Sequence, residues 1–207
     1  SNLLNIQSFG FRGEALPSLG AVGKLKIMSR CLQSDGAELE VDGGKLSSVR
    51  PVAMQPGTRV TLSDLFYATP ARLKFLRSDR AESKAIADMM RRLAIAEPSI
   101  TFCLRDMATE RVVLQVQAEQ GNMFDALRSR LGQVMGSAFV ENSIAVDAER
   151  EEIRLTGFAG LPTYSRGAAV SQFLFVNGRP VRDKLLLGGL RGAYSDFLSR
   201  DRHPAVA

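Results

Sequence analysis

Apolar residues along the chain change period several times, and each change marks an element. Ala15, Leu16, Leu19 and Val22 fall at helical spacing. Pro17 is tolerated only in a first turn, so this helix is expected to start at about Gly13 or Glu14. Leu25 and Ile27 then alternate with Lys24 and Lys26, the period of a half-buried strand over residues 24–31. A second strand over 37–41 closes on the turn Asp42-Gly43-Gly44, a third follows over 45–52, and a fourth runs over 57–66. The pattern becomes helical in 68–98, with Ile86, Met89, Met90 and Leu93 as its apolar face and Phe75 and Leu76 as core. Pro98 ends that helix, and a domain boundary is expected near it. Beyond it the pattern predicts a hairpin over 99–117, a helix over 123–131 and two strands around a charged turn. The strand "SQFLFVNGRP" and a helix over 181–198 follow, with Leu186, Leu190, Tyr194 and Phe197 facing the core. The sum is mixed α and β with antiparallel hairpins.

Composition narrows the chemistry. The only histidine, His203, lies near the C-terminal end, which removes most zinc sites and any Ser-His-Asp triad within the chain. Cys31 and Cys103 sit in apolar, strand-like stretches and are expected to be buried thiols in a reducing cytosol. There is no apolar run of membrane-spanning length and no signal-peptide pattern, so the expected location is cytoplasmic, away from membranes. The net charge of +5 is concentrated: seven basic against three acidic residues in 70–92, and the same ratio in 162–207. Two basic segments of this kind suit an anionic partner such as DNA.

The stretch "QSFGFRGEALPSLGAVGKL", residues 7–25, raises a sharper possibility. Gly10 and Gly13 flank Phe11 and Arg12 immediately before a helix, and glycine lets the backbone approach a ligand closely. The first amides of a helix have no intrahelical acceptor and sit at the positive end of its dipole, which together make an anion site.

"GFRGEALPSL" resembles the third motif of the MutL-type mismatch repair proteins, members of the GHKL ATPase superfamily. "GTRVTLSDLFYATPARLKFLR", residues 57–77, resembles the segment carrying their fourth motif. "FVNGRPVRDKLL", residues 175–186, resembles a signature of their second subdomain. The resemblance implies an α+β fold. Residues 1–98 would form the C-terminal part of a GHKL ATPase sandwich, and 99–207 a ribosomal-protein-like transducer subdomain truncated at its C-terminal end. It implies that Gly10, Arg12, Gly13, Glu14, Ala15 and Leu16 close over ATP phosphates. Gly13 to Leu16 would be the amide donors and Arg12 a brace for the loop. Thr58 would stand near the adenine pocket. Arg179, Arg182, Lys184 and Arg191 would line a DNA-binding groove through non-specific phosphate contacts.

The resemblance also implies what lies elsewhere. The first two GHKL motifs carry the catalytic glutamate, the magnesium-binding asparagine and the adenine-binding aspartate, and these 207 residues contain neither motif. A phosphate-contacting lysine of the second subdomain is missing as well. No catalytic or metal-binding residue is therefore expected here. ATP and magnesium would serve the parent protein, and this chain would bind ATP weakly or not at all and not hydrolyse it. The parent is expected to be an ATP-dependent switch in DNA mismatch repair, a homodimer that binds DNA and signals to other repair proteins, bacterial and nucleoid-associated. Two other readings remain: a gyrase-like GHKL ATPase fragment, whose second subdomain would not carry "FVNGRPVRDK", and a non-enzymatic DNA-binding module.

Overall fold

The computed structural model describes residues 13–207, so Gly10 and Arg12 lie outside the described residues. The fold is α+β, and the chain divides into two compact units between Ser78 and Asp79.

In the first unit, helix α1 (Ala15–Val22) precedes strands β1 (Lys24–Arg30), β2 (Gly36–Asp42), β3 (Lys45–Leu46), β4 (Arg50–Val52) and β5 (Gly57–Ser63). The sheet order is β3-β2-β1-β5, with β4 also on β2 and every pairing antiparallel. Register explains the alternation in sequence. Leu25 faces Val41 and Leu62, and Ile27 faces Leu39 and Val60, so apolar side chains share one face. The other face carries an ion network: Lys26 Nζ lies 2.9 Å from Glu38 and 3.0 Å from Glu40, and Arg50 reaches both carboxylates. The single strand expected over 45–52 is two short ones. Val41 pairs Leu46 but Glu38 pairs Arg50, a one-residue slip that interrupts the ladder. Beyond β5 a 3-10 helix, Pro70–Phe75, replaces the expected start of the long helix. Phe75 is 83% exposed and Leu76 42%, so neither is a core residue.

The second unit opens with α2 (Asp79–Ala96), which packs against elements that follow it in the chain, so the contact boundary precedes this helix whereas Pro98 follows it. Hairpin β6 (Phe102–Asp106) and β7 (Arg111–Val116) leads to α3 (Met123–Met135) and α4 (Ser137–Glu141). Then come the long hairpin β8 (Ser143–Arg150) and β9 (Ile153–Gly160), the short β10 (Ser165–Arg166), hairpin β11 (Leu174–Val176) and β12 (Arg179–Val181), α5 (Lys184–Ala193) and β13 (His203–Pro204). Ile95, Leu131, Phe139, Phe158, Phe173 and Ala205 form one core cluster, and Ala94, Leu114 and Val116 another.

Several expectations are corrected here. The buried face of α2 runs through Ala87, Arg92, Ala94 and Ile95, while Ile86 and Met89 are exposed. Alanines supply half of that buried face, so it is not the stripe that the larger apolar side chains mark in the sequence. "SQFLFVNGRP" is a hairpin, with Asn177 at φ 49 and Gly178 at φ 75, the geometry of a two-residue primed turn. The final helix is shorter than 181–198; Leu186 and Phe197 are exposed, and Tyr194 caps it. Both cysteines are exposed.

The C-terminal residues are part of the second unit's sheet structure. The Phe158 amide donates to Ala207 O at 2.7 Å, and the Phe173 amide to Val206 O at 3.0 Å. Gly157 and Gly160 make this approach possible, because an added Cβ would lie 2.4 Å from Ala207 O and 2.8 Å from Ala205 O respectively.

Candidate nucleotide and nucleic-acid sites

Gly13 takes φ +66, a conformation that disfavours a Cβ, and delivers the chain into α1. Glu14 is the N-cap, and its side chain makes no capping bond. Helical bonding begins with Ser18 N to Glu14 O at 3.0 Å. Among the described residues the amides of Gly13, Glu14, Ala15 and Leu16 have no recorded acceptor, and all four residues are exposed. Pro17 has no amide to satisfy, so the first turn presents its donors outward.

The far end of α1 is anchored. The Gly44 amide donates to Gly20 O at 2.9 Å and the Gly43 amide to Gly23 O at 3.2 Å. Gly20 is buried against Val41, where a Cβ would lie 2.8 Å from Cγ1. The Tyr67 hydroxyl bonds Asp42 beside the same turn, and Lys24 sits 2.8 Å from Asp64 and over the Tyr67 ring. The hydrogen bond to Asp64 raises the Lys24 pKa, and that to Asp42 raises the Tyr67 pKa. Thr58 lies on β5 opposite Ser29, with their hydroxyls 2.8 Å apart. Ser29 and Thr58 share the face that carries Leu25 and Ile27.

Of the second set of predicted residues, Arg179, Arg182 and Lys184 lie at or near the start of α5, and Arg191 lies in its last turn. Arg179 opens the last strand of the β11–β12 hairpin and Arg182 follows it, Asp183 caps the helix, and Lys184 is its first residue. Asp183 accepts from the Leu185 amide at 2.8 Å and the Leu186 amide at 3.0 Å, which fixes the entry of α5. Lys184 and Arg191 are seven positions apart, close to two full turns, so they project from one side. Arg182 is not a free cation: its guanidinium pairs with Asp88 of α2, which also takes Arg92 Nε at 3.3 Å. Arg191 donates to Arg200 O at 2.7 Å. Asp88 carries no local sequence signal, since its partner is distant in the chain.

Arg130 also escaped sequence reading. It is fully buried and donates to four backbone oxygens: Ala94 at 2.6 Å, Pro98 at 2.8 Å, Ile100 at 2.7 Å and Gln117 at 2.8 Å. Residue 98 is a proline, so the Ala94 carbonyl has no amide donor four positions on; the guanidinium supplies one. Burial lowers the pKa of Arg130 against the opposing pull of Glu119.

Residues 131–207 match the family model described as the DNA mismatch repair protein, C-terminal domain. The chain is 51% identical over 208 residues to the DNA mismatch repair protein MutL of Chelativorans sp. (strain BNC1), covering 100% of this chain and 33% of that protein. It is 53% identical to MutL of Brucella abortus (strain S19), over 98% of this chain and 32% of the relative. It thus spans about a third of the length of these curated relatives. Among solved structures, the Aquifex aeolicus MutL ATPase domain complexed with ADP superposes with a TM-score of 0.70 at 28% identity, covering 93% of this chain and 70% of that one. The N-terminal domain of a DNA repair protein superposes with a TM-score of 0.78, over 97% of this chain and 64% of the other; at 24% identity that likeness bears on the fold alone. The Gly-Phe-Arg-Gly, Pro-Ala-Arg and Asn-Gly-Arg stretches thus stand in a chain that is a homologue of about a third of the MutL DNA mismatch repair proteins.

Proposed function

We propose that this chain supplies a MutL-type ATPase switch with its phosphate-closing loop and its DNA-facing second subdomain. The single observation that carries the reading is the exposed, uncapped N-terminus of α1, entered through Gly13 at positive φ. Amide donors from Gly13 to Leu16 would meet the phosphates of an adenine nucleotide. The relative solved with ADP supports that choice of ligand. Arg12 and Gly10 would complete the loop, and Thr58 would stand near the base. The anchored far end of α1 matters to the mechanism. Gly20, the Gly43-Gly44 turn and Tyr67 fix where the first-turn donors point, which is what preorganised anion binding requires.

Among the described residues no group of three or more His, Cys, Asp or Glu side chains could hold a metal ion. A magnesium site does not fit these residues. In the first unit Glu38, Glu40, Asp42 and Asp64 are all engaged by cations or a phenol. The 207-residue chain is accordingly proposed to contribute phosphate binding to a longer protein and not to turn over ATP alone. Residues 1–98 are proposed as the GHKL part and 99–207 as the transducer part.

Nucleotide closure would bias dimerisation of the parent protein and its engagement of DNA and other repair proteins, a local ordering event with a global readout. Arg179, Arg182, Lys184 and Arg191 would contact DNA phosphates. No helix among the described residues is long and apolar enough to cross a membrane. A cytoplasmic, nucleoid-associated location fits the proposed partner.

Gly13→Ala in the full-length protein tests the reading. A Cβ at this φ costs about 1–2 kcal/mol, so the free variant is expected to relax away from φ +66 and ATP, which needs that conformation restored, to bind up to about five- to thirtyfold more weakly by calorimetry while DNA affinity without nucleotide is retained. Unchanged ATP affinity in a folded variant would overturn it.

A further inference from the structure

Between the end of α5 and the loop leading to β13 lies a cavity of about 340 Å³. Three arginines, Arg191, Arg200 and Arg202, line it. Among the described residues none of the three forms a salt bridge, although Arg202 lies near enough to the Asp201 carboxylate to help hold its pKa down. Two are held in place by neutral acceptors instead. Arg191 donates to Arg200 O at 2.7 Å, and Arg202 donates to Ser165 Oγ at 2.9 Å and Ser165 O at 2.6 Å. The Arg200 side chain makes no hydrogen bond among the described residues. Asp201 is adjacent in sequence but does not line the cavity, and it accepts from the Ser199 hydroxyl at 2.6 Å.

We infer that this cavity binds a phosphate group. Guanidinium groups match phosphate oxygens in geometry, and holding them on neutral partners costs no competing carboxylate. Two arginines held by neutral acceptors and one exposed arginine without a hydrogen bond among the described residues give a site that offers positive charge to an anion. The inference deepens the DNA reading above by adding Arg200 and Arg202, which the sequence pattern did not single out, to Arg191. The phosphate could be that of a DNA backbone or a free phosphate anion, and the experiment separates them.

Arg200→Ala is the decisive variant, because Arg200 is exposed and its loss breaks no hydrogen bond among the described residues. Inorganic phosphate is titrated against the 207-residue chain in chloride-matched buffer, following the arginine side-chain resonances by NMR. A labelled duplex is titrated across a salt series, with Arg200→Lys and Lys184→Ala alongside. Phosphate is expected to shift the Arg191 and Arg202 resonances. Arg200→Ala should weaken phosphate at least threefold and duplex at least threefold, lower the salt slope by about 0.9, and be largely restored by lysine. Weakened phosphate with unchanged duplex binding supports the site and assigns it to a free anion. The same holds if the wild-type chain binds no duplex, an outcome that sinks the DNA reading and leaves the cavity standing. Unaltered phosphate and duplex binding in Arg200→Ala overturns the inference, and if Lys184→Ala still weakens duplex binding, the DNA reading survives without it.

Discussion

Arg130 ties four segments of the second unit together. One guanidinium satisfies carbonyls from the end of α2, the turn after it, the approach to β6 and the end of β7. Arg130→Met keeps most of the volume but strands those acceptors, at a cost on the order of 3 kcal/mol. For a chain of this size that is a fall of roughly 6–12 °C in Tm by scanning calorimetry; a shift under 2 °C would show the four bonds to be dispensable. The sequence could not reveal this role, because Arg130 stands among ordinary helix-surface residues and its acceptors are backbone atoms. The proline at 98 was a signal that could have been used: it leaves the Ala94 carbonyl in need of a donor. Exposure of Cys31 and Cys103 was likewise hidden, since strand-like neighbours do not say which face a side chain takes.

Among the elements, α5 couples structure to the proposed DNA contacts. Asp183 caps it and so fixes Lys184, one of the four proposed cations. Asp183→Ala is expected to cost about 1 kcal/mol. Hydrogen exchange at Leu185 and Leu186 should quicken about fivefold, with a parallel loss of duplex affinity; unchanged exchange would show that the cap does not hold the helix start. The long strands were legible because their alternation is clean: Leu25 and Ile27 on β1, and the charged turn between β8 and β9. Shorter features were not. The Asn177-Gly178 pair announces a hairpin, but the apolar run before it reads as one strand. The apolar stripe of α2 was misplaced because alanines, which carry little hydropathy, make its contact face.

At the scale of the whole molecule, the two basic segments were visible as composition, but their pairing was not. Arg182 meets Asp88 at a separation of 94 residues, and only folding brings the two together. The proposed phosphate loop was legible as a motif, and its described part, Gly13 to Leu16, is exposed. Its ligand is the central claim. Hydrogen exchange on the full-length protein with and without ATP tests it most directly. The expected result is slowed exchange at the amides of Gly13 to Leu16 when nucleotide is bound. Bound nucleotide with protection elsewhere and no change at those four amides would contradict it.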